Sequence, residues 1–147
     1  MTTGQDDYAY LHVVRYHEVD PQSHVYHSRY LEIADVGFSD HLAGLLGMPY
    51  SRFVEHGFDP ALVATQIRFS APARYEDRLK VYVTPTRVGR SSFDVCIRIE
   101  REKDDLPVAT VTTTYVNYDT HTERAREIPP AVAAALRKGI PPAGSEA

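Results

Sequence analysis

Within "RYHEVDPQSHVYHSRYLEIADVGFSDHLAGLLG" (Arg15–Gly47), Asp20, His24 and His27 stand just ahead of an amphipathic helical pattern, with tyrosines at positions 16, 26 and 30 around them. A carboxylate beside a helix N-terminus joins two useful groups. One is a base or nucleophile; the other is a set of free backbone N–H donors whose dipole favours developing negative charge. A bare connection would need only a turn and a cap, and Asp20 followed by Pro21 is also an ordinary way to start a turn. The spacing His24-x-x-His27, with His17 and Asp20 nearby, resembles half of a metal-ligand set. No second His/Cys cluster completes it, since His41, His56 and His121 are scattered. No metal and no cofactor is expected.

The elements that must position these residues can be read from periodicity. "YAYLHVVRYHEV" (Tyr8–Val19) is aromatic and β-branched and reads as a strand, and "DPQS" supplies a turn. Leu31, Ala34, Phe38, Leu42 and Leu45 recur three and four residues apart, so a helix follows, with Gly47 and Pro49 as its stop. Gly37 falls mid-helix, where it costs about 1 kcal/mol relative to alanine. It is tolerable if the helix backbone lies close against another element. Four period-two stretches then follow, at 61–71, 78–88, 91–101 and 107–119, separated by "PARYED", "GR" and "EKDDL". Such short breaks favour antiparallel neighbours. "IPPAVAAALRKG" closes the pattern as a short helix with prolines at its start. The order predicts an α+β fold, with one long helix on an antiparallel sheet.

Bulk properties narrow the class. With 147 residues, 43% hydrophobic and 24% charged, the chain suits one soluble domain over 1–147, with a core of about 8–138 and loose ends. A net charge of −4 argues against nucleic acid as a partner. Cys96 is the only cysteine, so no intrachain disulfide can form. "MTTGQDDYAY" is polar and acidic, so neither a secretory signal nor a membrane span is read. A cytoplasmic location is therefore expected. Strands with apolar residues in both registers, Val81 and Val83 beside Tyr82, and Val95 and Ile97 beside Cys96, predict a homo-oligomer, dimer or tetramer.

The stretch "RYHEVDPQSHVYHSRYLEIAD" resembles the hotdog-fold thioesterases, in particular the group typified by 4-hydroxybenzoyl-CoA thioesterase and the Tol-Pal-associated acyl-CoA thioesterase. The likeness continues through "IRFSAPARYEDRLKV", "VGRSSFDVCIRI" and "VATVTTTYVNYDTHTERAREIP", over about residues 10–130. It implies an antiparallel sheet of about five strands wrapped around one long central helix. It also implies that Asp20 falls on the catalytic carboxylate. His27 falls on the helix-start position whose backbone N–H faces the thioester carbonyl; in the Tol-Pal-associated branch that position is a histidine, with a tyrosine at the place of Tyr16. Ser23 departs from the pattern, since relatives usually have a glycine there.

On that resemblance the chemistry is hydrolysis of an acyl-CoA or acyl-carrier-protein thioester. Asp20 would act as general base for a water, or as a nucleophile forming an acyl anhydride. A backbone donor near His27 would hold the oxyanion. His24 and Tyr26 would line the substrate pocket. The turn carrying Arg87, Gly89, Arg90 and Ser91 is the candidate for the phosphates of coenzyme A, with Arg68 and Arg74 as weaker candidates. Two alternatives stand beside this reading. A hotdog dehydratase or hydratase would need a histidine base paired with a carboxylate on another segment, and no such helix motif is present. A non-catalytic acyl-thioester binding protein would make Asp20 dispensable. Composition does not name the acyl group, because ten tyrosines and five phenylalanines suit an aromatic or an aliphatic pocket.

Overall fold

The structure is a computed structural model that describes residues 8–143. Residues 1–7 and 144–147, part of the segments expected to be loose, lie outside the described residues. The elements run β1 (Tyr10–Val13), α1 (Arg29–Leu46), β2 (Pro60–Phe69), β3 (Arg78–Val88), β4 (Ser92–Arg101), β5 (Leu106–Asp119), β6 (Arg124–Ala125) and α2 (Pro130–Lys138). Short 3-10 segments lie at Tyr16–Glu18 and Tyr50–His56. The sheet order is β1-β3-β4-β5-β2, with β6 on β5. Among the described residues no helix is long and apolar enough to cross a membrane.

The four period-two stretches form β2 to β5 within a residue or two of their expected bounds. The first strand is shorter than its composition suggests, four residues in place of Tyr8–Val19. The cause is local. Glu18 turns back on the strand, accepting the Arg15 N–H at 2.7 Å and bonding His12 Nε2 at 2.9 Å, which coils Tyr16–Glu18 into a 3-10 turn.

Two compact units divide the chain. The first comprises residues up to His41, Ile67–Val83 and Ile97–Val111. In it β1 runs antiparallel to β3, with Tyr10 opposite Val81 and His12 opposite Leu79. Helix α1 lies against β3 at Gly37, where an added Cβ would come within 2.5 Å of Val81 Cγ1. This is the close approach that a mid-helix glycine permits. Tyr30, Ile33, Ala34 and Phe38 are buried along α1. The buried face is thus turned slightly from the expected stripe, with Leu31 and Leu45 only half-buried.

The second unit comprises Leu42–Gln66, Thr84–Cys96 and the residues from Thr112 onward. Its core is an aromatic row. Phe53–Phe58, Phe58–Phe93 and Phe93–Tyr115 have ring centroids 5.7, 5.9 and 5.4 Å apart. Buried Asn117 fastens the surrounding loops. Its Oδ1 accepts the Asp59 N–H at 2.9 Å, and its Nδ2 donates to the carbonyls of Gly57 and Glu127 at 2.9 and 3.0 Å.

Candidate active site

The path from β1 to α1 is a closed loop. Val19 and Val25 form an antiparallel bridge, and the Asp20 N–H donates to the His24 carbonyl at 2.8 Å. The Asp20 carbonyl accepts the Ser23 N–H at 2.8 Å. Ser23 sits at φ 64°, in the left-handed region that favours glycine. The position at which the family resemblance leads one to expect glycine is one where the backbone has positive φ, and Ser23 keeps the turn at some conformational cost. The carboxylate of Asp20 supports the same turn, its Oδ1 accepting the N–H groups of Gln22 at 2.8 Å and His24 at 3.4 Å.

A second segment pins this loop from the side. His24 bridges to Arg74, and the Ala73 carbonyl accepts the Val25 N–H at 2.8 Å. The Ala73 N–H donates to the hydroxyl of buried Tyr30, in the first turn of α1, at 3.2 Å. Burial, with Asp77 and Asp20 nearby, raises the Tyr30 hydroxyl above its ordinary pKa, so it stays a neutral phenol. Tyr30 in turn packs edge-on to Phe69, with centroids 5.3 Å apart. Of the first-turn N–H groups of α1, which have no intrahelical acceptor, that of Arg29 donates to the Tyr26 carbonyl at 2.9 Å.

Around this junction lies a pocket of about 380 Å³, lined by Asp20, His24, Val25, His27 and Tyr30 on one side and residues 69–72 on the other. The structure thus gathers three of the residues picked from sequence, Asp20, His24 and His27. Of the same stretch it leaves Tyr16 and Tyr26 outside the lining. Tyr16 is 79% exposed and packs against Tyr75. Tyr26 is exposed, with its ring on that of His27 at 4.3 Å. Tyr30, noted in the sequence only as one of the surrounding tyrosines, lines the pocket, and so does the 69–72 wall, which no sequence motif marked. The stretch "FSAP" read as a strand end, and Tyr30 sits one residue before the first leucine of the expected stripe.

Arg87, Gly89, Arg90 and Ser91 lie in the β3–β4 hairpin of the second unit. There Arg87 is already engaged, its Nε donating to Asp94 Oδ2 at 2.7 Å and its Nη2 to Ser92 Oγ at 3.0 Å. The Arg87 guanidinium, joined by the Thr114 hydroxyl, outweighs desolvation and holds the Asp94 carboxyl below its usual range. The Gly89 N–H, in the turn expected to meet a phosphate, donates to the Ser92 carbonyl at 2.7 Å. Arg90 is exposed, and its carbonyl accepts the Ile128 N–H. Among the described residues no three His, Cys, Asp or Glu side chains are grouped to hold a metal ion.

A sequence profile of the thioesterase-like superfamily matches residues 14–136. The chain belongs to the thioesterase-like superfamily. Among curated relatives of this thioesterase-like chain, the 1,4-dihydroxy-2-naphthoyl-CoA hydrolase of Picosynechococcus sp. is 28% identical over 135 residues, covering 88% of this chain and 92% of the relative. The enzyme of the same name from Synechococcus elongatus is 27% identical over 124 residues, covering 84% and 90%. A hypothetical protein from Thermus thermophilus, of known crystal structure, is 27% identical with a TM-score of 0.77, covering 88% of this chain and 97% of that one. The 1,4-dihydroxy-2-naphthoyl-CoA thioesterase from Synechocystis superposes with a TM-score of 0.77 at 21% identity, covering 88% and 95%, a likeness of fold. The hotdog fold expected from the sequence is the fold of this thioesterase-like chain.

Proposed function

We propose that the chain hydrolyses an aromatic acyl-CoA thioester at the Asp20 pocket, releasing a free acid and coenzyme A. Thioester hydrolysis is the activity of its curated relatives. The observation that carries the site assignment is that one pocket is lined by a carboxylate, Asp20, by His27 two residues ahead of α1, and by Tyr30 in the first turn of that helix. With Oδ1 held by the loop's own N–H groups, Oδ2 is the oxygen offered to the reaction. It either takes a proton from a water that attacks the carbonyl, or attacks the carbonyl itself to form an anhydride that water then opens. In both routes the C–S bond breaks, the thiolate leaves and takes up a proton, and the water's oxygen ends in a carboxylate. The carbonyl oxygen becomes negative on the way, and N–H groups near His27 stabilise it. One such donor is worth about 3 kcal/mol in hydrolases.

The aromatic acyl group is supported by Phe69, a half-exposed ring on the pocket wall, backed edge-on by buried Tyr30. The Tyr16, Asp20 and His27 spacing supports a place near the 4-hydroxybenzoyl-CoA and Tol-Pal-associated group. With Arg87 paired to Asp94, Arg90 is the hairpin cation left for a phosphate. The setting is cytoplasmic. The deciding experiment mixes purified protein with 1,4-dihydroxy-2-naphthoyl-CoA, benzoyl-CoA and a medium-chain acyl-CoA and follows free thiol. The aryl thioesters turn over fastest, and Asp20→Asn loses that activity. Thiol release from none of them would leave the binding-protein reading as the better account.

A further inference from the structure

Outside the pocket lies a buried polar chain that the proposed chemistry does not use. Glu18 is only 6% exposed. Its carboxylate bonds His12 Nε2 through both oxygens, at 2.9 and 3.0 Å, and accepts the Arg15 N–H at 2.7 Å. The other nitrogen of that ring, His12 Nδ1, bonds the Tyr10 hydroxyl at 2.9 Å. Tyr10 and His12 belong to β1, so the chain is anchored in the sheet. A carboxylate withdrawn from water is kept only where it is paired and hydrogen-bonded.

The main chain of the same residue reaches the other way. The Glu18 carbonyl accepts the Tyr26 N–H at 2.8 Å. Tyr26 immediately precedes His27, and Glu18 stands two residues before Asp20. One residue therefore ties three things together: the end of β1, the base of the Asp20 loop, and the approach to α1. From these bonds we propose that Glu18, held by His12, is a positioning residue that sets the distance between the Asp20 carboxylate and the N–H donors near His27. This inference rests on the reading of Asp20 as the reacting carboxylate.

The reason such a tie matters is geometric. Base and oxyanion donor must meet one carbonyl from opposite sides, and a misplacement of about 1 Å from a change away from the chemistry can cost up to about a hundredfold in rate. Glu18→Gln keeps the size and one acceptor while removing the charge that binds His12. The expected result is a kcat about tenfold lower with KM within about twofold, because substrate contacts are untouched. The decisive measurement is a double-substitution cycle on the aryl-CoA substrate. If Glu18 acts through Asp20, adding Glu18→Gln to Asp20→Asn lowers the residual rate no further; a general weakening of the fold would multiply the two losses. If Glu18→Gln does not fold, His12→Asn, too short to reach Glu18, reads the same quantity. A folded Glu18→Gln or His12→Asn protein at the parent rate, or multiplied losses in the cycle, would overturn the proposal. Asp20→Asn at the parent rate would instead overturn the site reading itself, and the positioning role with it.

Discussion

At Asp20 the loop's own bonds and the proposed chemistry compete for one side chain. Two N–H groups fall on Oδ1, so Asp20→Asn retains an acceptor there and should keep the turn, while losing basicity and nucleophilicity. We predict that kcat falls by roughly 10²–10⁴ with little change in KM, the range for a positioned acid–base group; steady-state kinetics beside a thermal melt checks it. His27→Ala should cost far less, because it leaves the backbone donor in place. Glu18 carries a pH signature of its own. Burial would raise its carboxyl, but the Arg15 N–H and His12 outweigh that and hold it below its ordinary value of 4.5. A lowered pKa means the native state favours the ionised form. The stabilisation is fully present above the ordinary value and is lost as pH falls through the depressed one. The melting temperature of the parent should therefore drop more steeply in acid than that of Glu18→Gln, the two curves converging once the pH lies below the depressed value.

Elements are held by a few contacts that each invite one change. Helix α1 touches β3 at Gly37. Alanine there gains about 1 kcal/mol of helix propensity, yet its methyl would meet Val81 Cγ1 at 2.5 Å, and Val81 is fully buried. Overpacking of a filled core costs about 1–3 kcal/mol, so Gly37→Ala is expected to lower the melting temperature. Adding Val81→Ala should recover less of the loss than a pure cavity would forfeit alone, giving a non-additive pair. In the second unit, Asn117→Ala would strand a buried N–H and two carbonyls, for a loss of about 3 kcal/mol in chemical denaturation. Asn117→Asp should be nearly as damaging, since a carboxylate can take the Asp59 N–H but faces the Gly57 and Glu127 carbonyls with no donor.

For the whole molecule the telling feature is β2, at the end of the sheet order. Leu62 is 50% and Val63 56% exposed, on opposite faces of that strand. A long apolar edge strand left open is an aggregation hazard that soluble proteins cover. We propose that a second copy covers it, so that the protein is a homodimer or a pair of dimers. Light scattering at micromolar concentration should give at least twice the 16.5 kDa chain mass. Val63→Glu should shift the mass toward one chain, and a parent protein already at 16.5 kDa would refute the assembly.

Much of this was legible in the residues themselves. Period-two alternation marked β2 to β5, and a three-and-four repeat with Gly47 and Pro49 marked α1, because those patterns are one-dimensional records of which side faces a core. Asp20, His24 and His27 could be picked for the same reason: they are near neighbours in sequence, and one short loop carries them into one pocket. What sequence could not supply came from contacts between distant segments. The wall at 69–72 and the Tyr30 hydroxyl on Ala73 join residues about forty positions or more apart, whose separation follows no local period. The early end of β1 has a local cause that propensity does not register. Aromatic and β-branched residues favoured a strand to Val19, but a buried Glu18 needed His12 and the Arg15 N–H, and satisfying that charge outweighed propensity.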